Sequence, residues 1–317
     1  MSFRSPIAYQ SSSRGVEVGP HHRLGSYGTP SDGPLLLVSG GMHGNEPGGV
    51  LAIQRVLLYL HECKPKIRGR LVGLAGNLGG LRRGVRYIDR DLNRNWDRES
   101  LETLMSGATG LAEDIERIEL LHEFEYLLAE KHGKVSLLDL HSMSANGVPF
   151  VVTSDDPELR LLAQHLILPA IAGLERSIPG TTLQWFADRG HNGLAIEGGQ
   201  HDDPRTAQVM EAAVWKMLLG LQMIEPTDVP DLTGQNLVLA QAADGMPGGV
   251  RVTYRHGIEP SDDFEMLPGF RNLQAVSRGQ VLARDRQGVV VAPEDGWILL
   301  PLYQKVGADG FFIGTGI

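Results

Sequence analysis

The run Leu35-Leu36-Leu37-Val38, entered through Pro34 and left through Ser39-Gly40-Gly41, is apolar at consecutive positions. Such a run reads as a strand buried inside a sheet, where both faces are covered. Val135 to Leu140 (VSLLDL) has the same texture. Arg70 to Ala75, Thr181 to Phe186 and Gly193 to Glu197 are further strand candidates. Gly48 to His61 carries apolar residues at helical spacing behind Pro47, and Ala112 to His132 reads as a long Glu-rich helix. Asp156-Pro157 and Asp203-Pro204 look like helix starts, with Asp as cap and Pro in the first turn; the spacing predicts helices through Ala172 and Leu221. Strands alternating with helices over about 34–222 indicate an α/β layered domain. After Glu225-Pro226 the texture changes to short β-like runs with no convincing helix. Val289 to Leu300 there reads as a hairpin turning at Asp295-Gly296. The 317 residues therefore divide into an α/β domain over 1–225 and a β domain over 226–317.

Four motifs carry chemistry. His43-Gly44-Asn45-Glu46 follows the first buried strand, at the strand end where α/β sheets place their sites; an imidazole and a carboxylate three apart on a loop can turn toward one metal ion. Asp139-Leu140-His141 ends a second buried strand, so His141 can add a ligand and Asp139 can orient one. Arg82 to Arg98 holds six arginines against three aspartates, and includes Asp91-Leu92-Asn93-Arg94-Asn95-Trp96. Arginine suits bidentate carboxylate recognition, and the glycine-rich lead-in Gly76 to Gly84 suggests an ordered, irregular loop. Ala195-Ile196-Glu197-Gly198-Gly199 sets a Glu at the end of an apolar strand, where a general base could face activated water. Each motif alone has a bland reading as a core His, a solvated basic loop or a strand-end Glu.

Composition narrows the field. The single cysteine, Cys63, forbids an internal disulfide and a multi-cysteine zinc site, and beside Glu62 and Lys64 it reads as structural. No apolar run is long enough to span a bilayer, and Met1 to Pro6 lacks the look of a leader, so no membrane role and a cytoplasmic location are expected. Lys+Arg of 29 against Asp+Glu of 38 gives a net charge of −9, which argues against a nucleic-acid surface. The local +3 of residues 82–98 keeps a small anionic substrate open. A GxSxG elbow, a phosphate loop and an HExxH helix are all absent.

GGMHGNEPGG (40–49), RYIDRDLNRNW (86–96), DLHS (139–142) and AIEGG (195–199), in this order, resemble the aspartoacylase / succinylglutamate desuccinylase family, the deacylase branch of the zinc-carboxypeptidase superfamily. The resemblance implies a three-layer α/β/α zinc-carboxypeptidase-like domain around a mixed eight-stranded sheet, with a small C-terminal all-β domain that narrows the site. It implies one Zn²⁺ per chain held by His43, Glu46 and His141, Arg86 as oxyanion stabiliser, Asn93 and Arg94 as binders of the substrate α-carboxylate, and Glu197 as general base and acid. The expected substrate is a small N-acyl amino acid, N-acetyl or N-succinyl. Arg189 is the candidate for the acyl group's distal carboxylate, with Tyr303 and Tyr254 as further candidates. A metallocarboxypeptidase on short peptides and an esterase with the same centre are the alternatives, a non-catalytic binding protein a remoter one; a homo-oligomer stays open. The C-terminal part lacks the Met-Lys-Met of a biotin or lipoyl carrier, so no carrier function is expected.

Overall fold

The computed structural model describes residues 18–107, 110–243, 245–246 and 248–317. The N-terminal stretch read for a leader lies outside them. Fourteen strands and nine α-helices follow in the described residues. They are β1 (Arg23–Gly28), β2 (Leu35–Gly40), α1 (Gly48–Cys63), β3 (Arg70–Ala75), α2 (Leu78–Arg83), α3 (Arg98–Met105), α4 (Ala112–Ala129), β4 (Val135–Met143), β5 (Phe150–Thr153), α5 (Pro157–His165), β6 (Ala170–Ala172), α6 (Leu174–Ser177), α7 (Thr182–Ala187), β7 (Asn192–Gln200), α8 (Pro204–Gly220) and α9 (Leu232–Ala243). The C-terminal strands are β8 (Gly249–Gly257), β9 (Glu265–Met266), β10 (Gln274–Val276), β11 (Val281–Asp285), β12 (Gly288–Val291), β13 (Gly296–Leu299) and β14 (Asp309–Gly316). No helix among the described residues is long and apolar enough to cross a membrane.

One mixed sheet runs in the order β1-β3-β2-β4-β7-β5-β6-β8-β14-β13-β10, and a three-stranded antiparallel sheet holds β12-β11-β9. At its centre β3, β2, β4 and β7 are parallel. Their residues alternate between two cores. Leu36, Val38, Leu138 and Leu140 pack into the core that Val56 of α1 and Met210 and Trp215 of α8 complete. Leu35, Leu37, Val135 and Leu137 pack into the opposite core with Phe124 of α4 and Trp185 of α7. This is the α/β/α layering the sequence implied. The sheet has eleven strands rather than eight, because β6 pairs with β8 and carries the ladder across residue 226 into the C-terminal strands.

Several local expectations fail for identifiable reasons. Thr181 to Phe186 is helical: the Thr181 side chain caps α7 by accepting from Gln184 N at 3.3 Å, and Trp185 and Phe186 fill the core. The helix at Pro157 stops at His165, and Pro169 leads into the short strand β6 instead. Residues 76–84 hold the short helix α2, capped by Asn77, whose side chain accepts from Gly80 N at 2.6 Å. The expected absence of helix after 226 is overturned by α9. The Val289–Leu300 hairpin does not form: β12 pairs with β11 in the small sheet and β13 pairs with β10 and β14 in the large one. Asp295 accepts from Arg278 N at 2.8 Å rather than closing a turn. Cys63 is exposed at the end of α1, so it does not help build the core.

Two anchors fix the arginine-rich loop between α2 and α3. Trp96 is 1% exposed in a ring cluster with Phe124 and Trp185, and its indole N–H donates to Leu92 O at 2.7 Å. The carboxylate of Glu113, on α4, accepts from the backbone N–H groups of Ile88, Asp89 and Arg90 at 2.6–3.2 Å and from Asn77 Nδ2 at 3.0 Å. Those bonds hold its pKa below the usual carboxylate range despite burial, which works the other way. Trp96→Ala should lower unfolding stability by about 3–5 kcal/mol in urea titration. Glu113→Ala leaves three loop N–H groups without their acceptor and should cost about 2–5 kcal/mol; a melting temperature equal to wild type would show the loop is held by other means.

Candidate active site

The central strands change character at their carboxyl ends. The face that carries Leu35 and Leu37 continues into Ser39, and the face that carries Val135 and Leu137 continues into Asp139 and His141. Ser39 sits opposite Asp139 in the register and donates to it at 2.6 Å. On the next strand Glu197 sits opposite His141. Leaving β2, the chain turns to β3 on one side and reaches β4 on the other, so the loop after β2 lies at the switch point where α/β sheets open a crevice.

That loop carries His43 and Glu46, and glycines let it pack against its neighbours. A Cβ on Gly44 would lie 2.0 Å from the Gly80 carbonyl carbon of α2, and one on Gly49 would lie 2.9 Å from Leu140 Cβ. The four groups His43, Glu46, Asp139 and His141 are each at most 6% exposed. His43 Nδ1 lies 2.9 Å from Glu46 Oε1, and His141 Nδ1 lies 3.2 Å from Glu46 Oε2. The other ring nitrogens face aspartates: His43 Nε2 is 3.0 Å from Asp91 Oδ1, and His141 Nε2 is 2.8 Å from Asp139 Oδ2. If each Nε2–H goes to its aspartate, each Nδ1 turns a lone pair toward the Glu46 carboxylate; at His43 the Arg86 guanidinium, 2.8 Å from Nε2, competes for that position. Lone pairs facing carboxylate oxygens repel unless a cation sits among them or the rings are protonated. The donor set, two imidazoles backed by carboxylates and one carboxylate, fits a divalent ion such as zinc.

The buried groups also set one another's charge. Burial disfavours charge on Glu46, but the two histidines outweigh it and hold the carboxyl well below its usual range. Burial would likewise lower His141, yet Asp139 and Glu46 hold its imidazole well above the usual value. Asp91 behaves like Glu46, through His43 and Arg86. Glu197 goes the other way: desolvation pushes its carboxyl up to about 8, with Glu46 and Asp139 adding to the rise against His141 and Arg86. Its Oε2 is buried without a hydrogen-bond partner.

Around this centre Arg86 donates to Asp91 Oδ2 at 2.9 Å and lies 3.5 Å from Glu46, while its Nε is buried and unpartnered. Asn93 accepts from Thr182 N and Oγ1 at 2.9 and 3.0 Å, with Nδ2 3.3 Å from His141 Nε2. Arg94 donates to Asn93 O at 2.7 Å and borders the cleft. The cleft has room for about 150 Å³ and also touches Leu300, Gln304 and Asp309 of the C-terminal part. The expected residues His43, Glu46, Arg86, Asn93, Arg94, His141 and Glu197 all border it. Arg189 does not: its guanidinium lies 3.8 Å over the Trp185 ring and donates to Trp185 O, because α7 is a helix and its end turns away. Tyr303 is spent on Leu267 O and Phe270 N, and Tyr254 lies beside His256. Asp91, Ser39, Thr182 and Glu113 support the site without having been singled out for it. The Asp91 role was concealed because an aspartate among arginines reads as charge balance.

Comparison with known proteins matches residues 32–219 to the succinylglutamate desuccinylase/aspartoacylase catalytic domain. A succinylglutamate desuccinylase of Pseudomonas putida strain KT2440 is 26% identical over 285 residues, 84% of this chain and 78% of that protein. The strain GB-1 enzyme is 35% identical over 108 residues, which span 30% of its length. The N-acyl-aromatic-L-amino acid amidohydrolase (carboxylate-forming) of Xenopus tropicalis is 32% identical over 133 residues, 41% of each chain. Among solved structures, the succinylglutamate desuccinylase of Chromobacterium violaceum superposes with a TM-score of 0.63 at 18% identity, covering 91% of this chain and 86% of that one. Murine aminoacylase 3 superposes at 0.59 with 17% identity, covering 91% and 97%. The conserved architecture and the matched catalytic region agree: the chain belongs to the succinylglutamate desuccinylase/aspartoacylase family.

Proposed function

We propose that this chain is a zinc-dependent deacylase that hydrolyses the amide bond of a small N-acyl amino acid. The observation that carries the reading is the meeting of His43 Nδ1, His141 Nδ1 and the Glu46 carboxylate beside the Glu197 carboxyl, whose Oε2 is buried without a hydrogen-bond partner. His43, Glu46 and His141 would hold one zinc ion, with Asp91 and Asp139 fixing the rings behind them. When bound, zinc supplies Lewis acidity, which makes water a stronger acid and polarises an acyl carbonyl.

The protein's own groups do the rest. Glu197, with a carboxyl that exchanges its proton near neutral pH, takes a proton from the attacking water and returns it to the amide nitrogen as that bond breaks. Arg86, which borders the cleft, would donate to the oxygen on which negative charge develops, a donor of the kind worth about 3–4 kcal/mol. Arg94 anchors the α-carboxylate, and Asn93, its carbonyl spent on Thr182, can add one N–H. The C-terminal residues Leu300, Gln304 and Asp309 bound the cleft, which suits a small substrate better than a long peptide. A cytoplasmic location accords with the single cysteine.

The test is turnover of a panel of N-acetyl and N-succinyl amino acids by the zinc-loaded chain; no hydrolysis of any member sinks the reading. Glu197→Gln should retain zinc at one per chain by elemental analysis and lose about 10²–10⁴-fold in kcat. His141→Ala should lose stoichiometric zinc under the same assay, and full retention would remove His141 from the ligand set.

A further inference from the structure

The wall of the cleft away from the centre is apolar. Val152, Leu174, Ile178, Leu183, Leu300 and Phe312 border the cleft and belong to one packed cluster that includes Ala195 of β7. Most of the charges along the rest of the lining are already paired. Two arginines border it, Arg86 and Arg94. Arg86 is engaged by Asp91 and Glu46. Arg94 makes only distant ion pairs, 3.9 Å to Asp91 and 4.0 Å to Asp309, so it is the cation left for a ligand. Beyond the catalytic carboxylates, the cleft adds Glu175 and Asp309, the latter accepting from Arg255 Nε at 2.5 Å. Glu175 accepts from Gly173 N at 2.7 Å with one oxygen, while the other is buried with no hydrogen bond, 3.3 Å from Arg176 Nε. Arg189, the expected partner of a distal carboxylate, points elsewhere.

We propose that the cleft selects an N-acyl amino acid with a single carboxylate and an otherwise apolar body, and rejects one bearing a second carboxylate. The proposal rests on the deacylase reading above and narrows its substrate class. Arg94 meets the first carboxylate; a second one faces Glu175, Asp309 and aliphatic carbon, with no free cation among the described lining residues. A substrate CH₂ laid against the wall leaves water, a gain of about fourfold in binding per fully buried group. This departs from the tricarboxylate named in the desuccinylase relatives' activity.

The experiment compares N-acetyl-L-leucine, N-acetyl-L-methionine, N-acetyl-L-aspartate and N-succinyl-L-glutamate on the zinc-loaded wild-type chain. The expected result is a kcat/KM for the two apolar substrates at least about 100-fold above that for the two with extra carboxylates, a gap of about 2.7 kcal/mol. Glu175→Gln should narrow that gap by speeding the acidic substrates. Equal or reversed preference in the wild type overturns the proposal, whatever the variant does. If none of the four is turned over, the deacylase reading has failed separately, and calorimetric titration of the same zinc-loaded chain then decides. Tighter binding of N-acetyl-L-leucine than of N-succinyl-L-glutamate supports the cleft assignment; equal, reversed or undetectable binding overturns it.

Discussion

One carboxylate facing two imidazoles is the contact around which the site is arranged. Glu46 reaches His43 on its own loop and His141 on a neighbouring strand, and it also accepts from Ser142 N at 3.0 Å. Three buried polar groups in one place are unfavourable unless each finds a partner. The surroundings supply those partners: Asp91 and Asp139 behind the rings, Ser39 and Thr182 behind Asp139, and Arg86 across Glu46 and Asp91. The glycines of the loop are part of the same solution, since a side chain at Gly44 would push His43 and Glu46 away from α2. Glu113 and Trp96, well outside the centre, matter because they fix the loop that delivers Asp91, Asn93 and Arg94.

The net charge of −9 says little about this site, because its cations are already spoken for. Of the six arginines in 82–98, Arg90 is paired with Asp114, Arg98 with Glu102, and Arg86 with Asp91 and Glu46. Arg82 donates to Gly19 O. What looks in the chain like a basic patch is in good part a set of internal ties, and of the two arginines that border the cleft Arg94 is the one left for a ligand.

The chain announces its buried strands, long helices and the His and Glu residues of the cleft because each rests on a local pattern: consecutive apolar residues, helical spacing, or His and Glu beside glycines at a strand end. The failures are where tertiary context decided. Thr181 to Phe186 has strand-like residues, but a Thr cap and three packed rings make it helical. The two halves of Val289–Leu300 each form a strand, yet their partners are distant in sequence, so the apparent hairpin splits between two sheets. The spacing of Arg189 from Glu197 misleads because Arg189 follows directly on α7, and its guanidinium folds back over Trp185 of that helix. Support residues such as Glu113 leave no trace in sequence, since a Glu in an acidic helix has no distinguishing neighbour.

The continuous sheet has a mechanical consequence. Phe312, on the cleft wall, lies on β14; β14 pairs with β8, β8 with β6, β6 with β5, and β5 with β7, where Phe150 sits opposite Glu197. The apolar cleft wall and the Glu197 carboxyl are thus parts of one hydrogen-bonded plate. Opening the cleft by swinging the C-terminal strands as a lid would tear ladders from end to end. The sheet therefore ties the spacing between that wall and Glu197 to its own ladders.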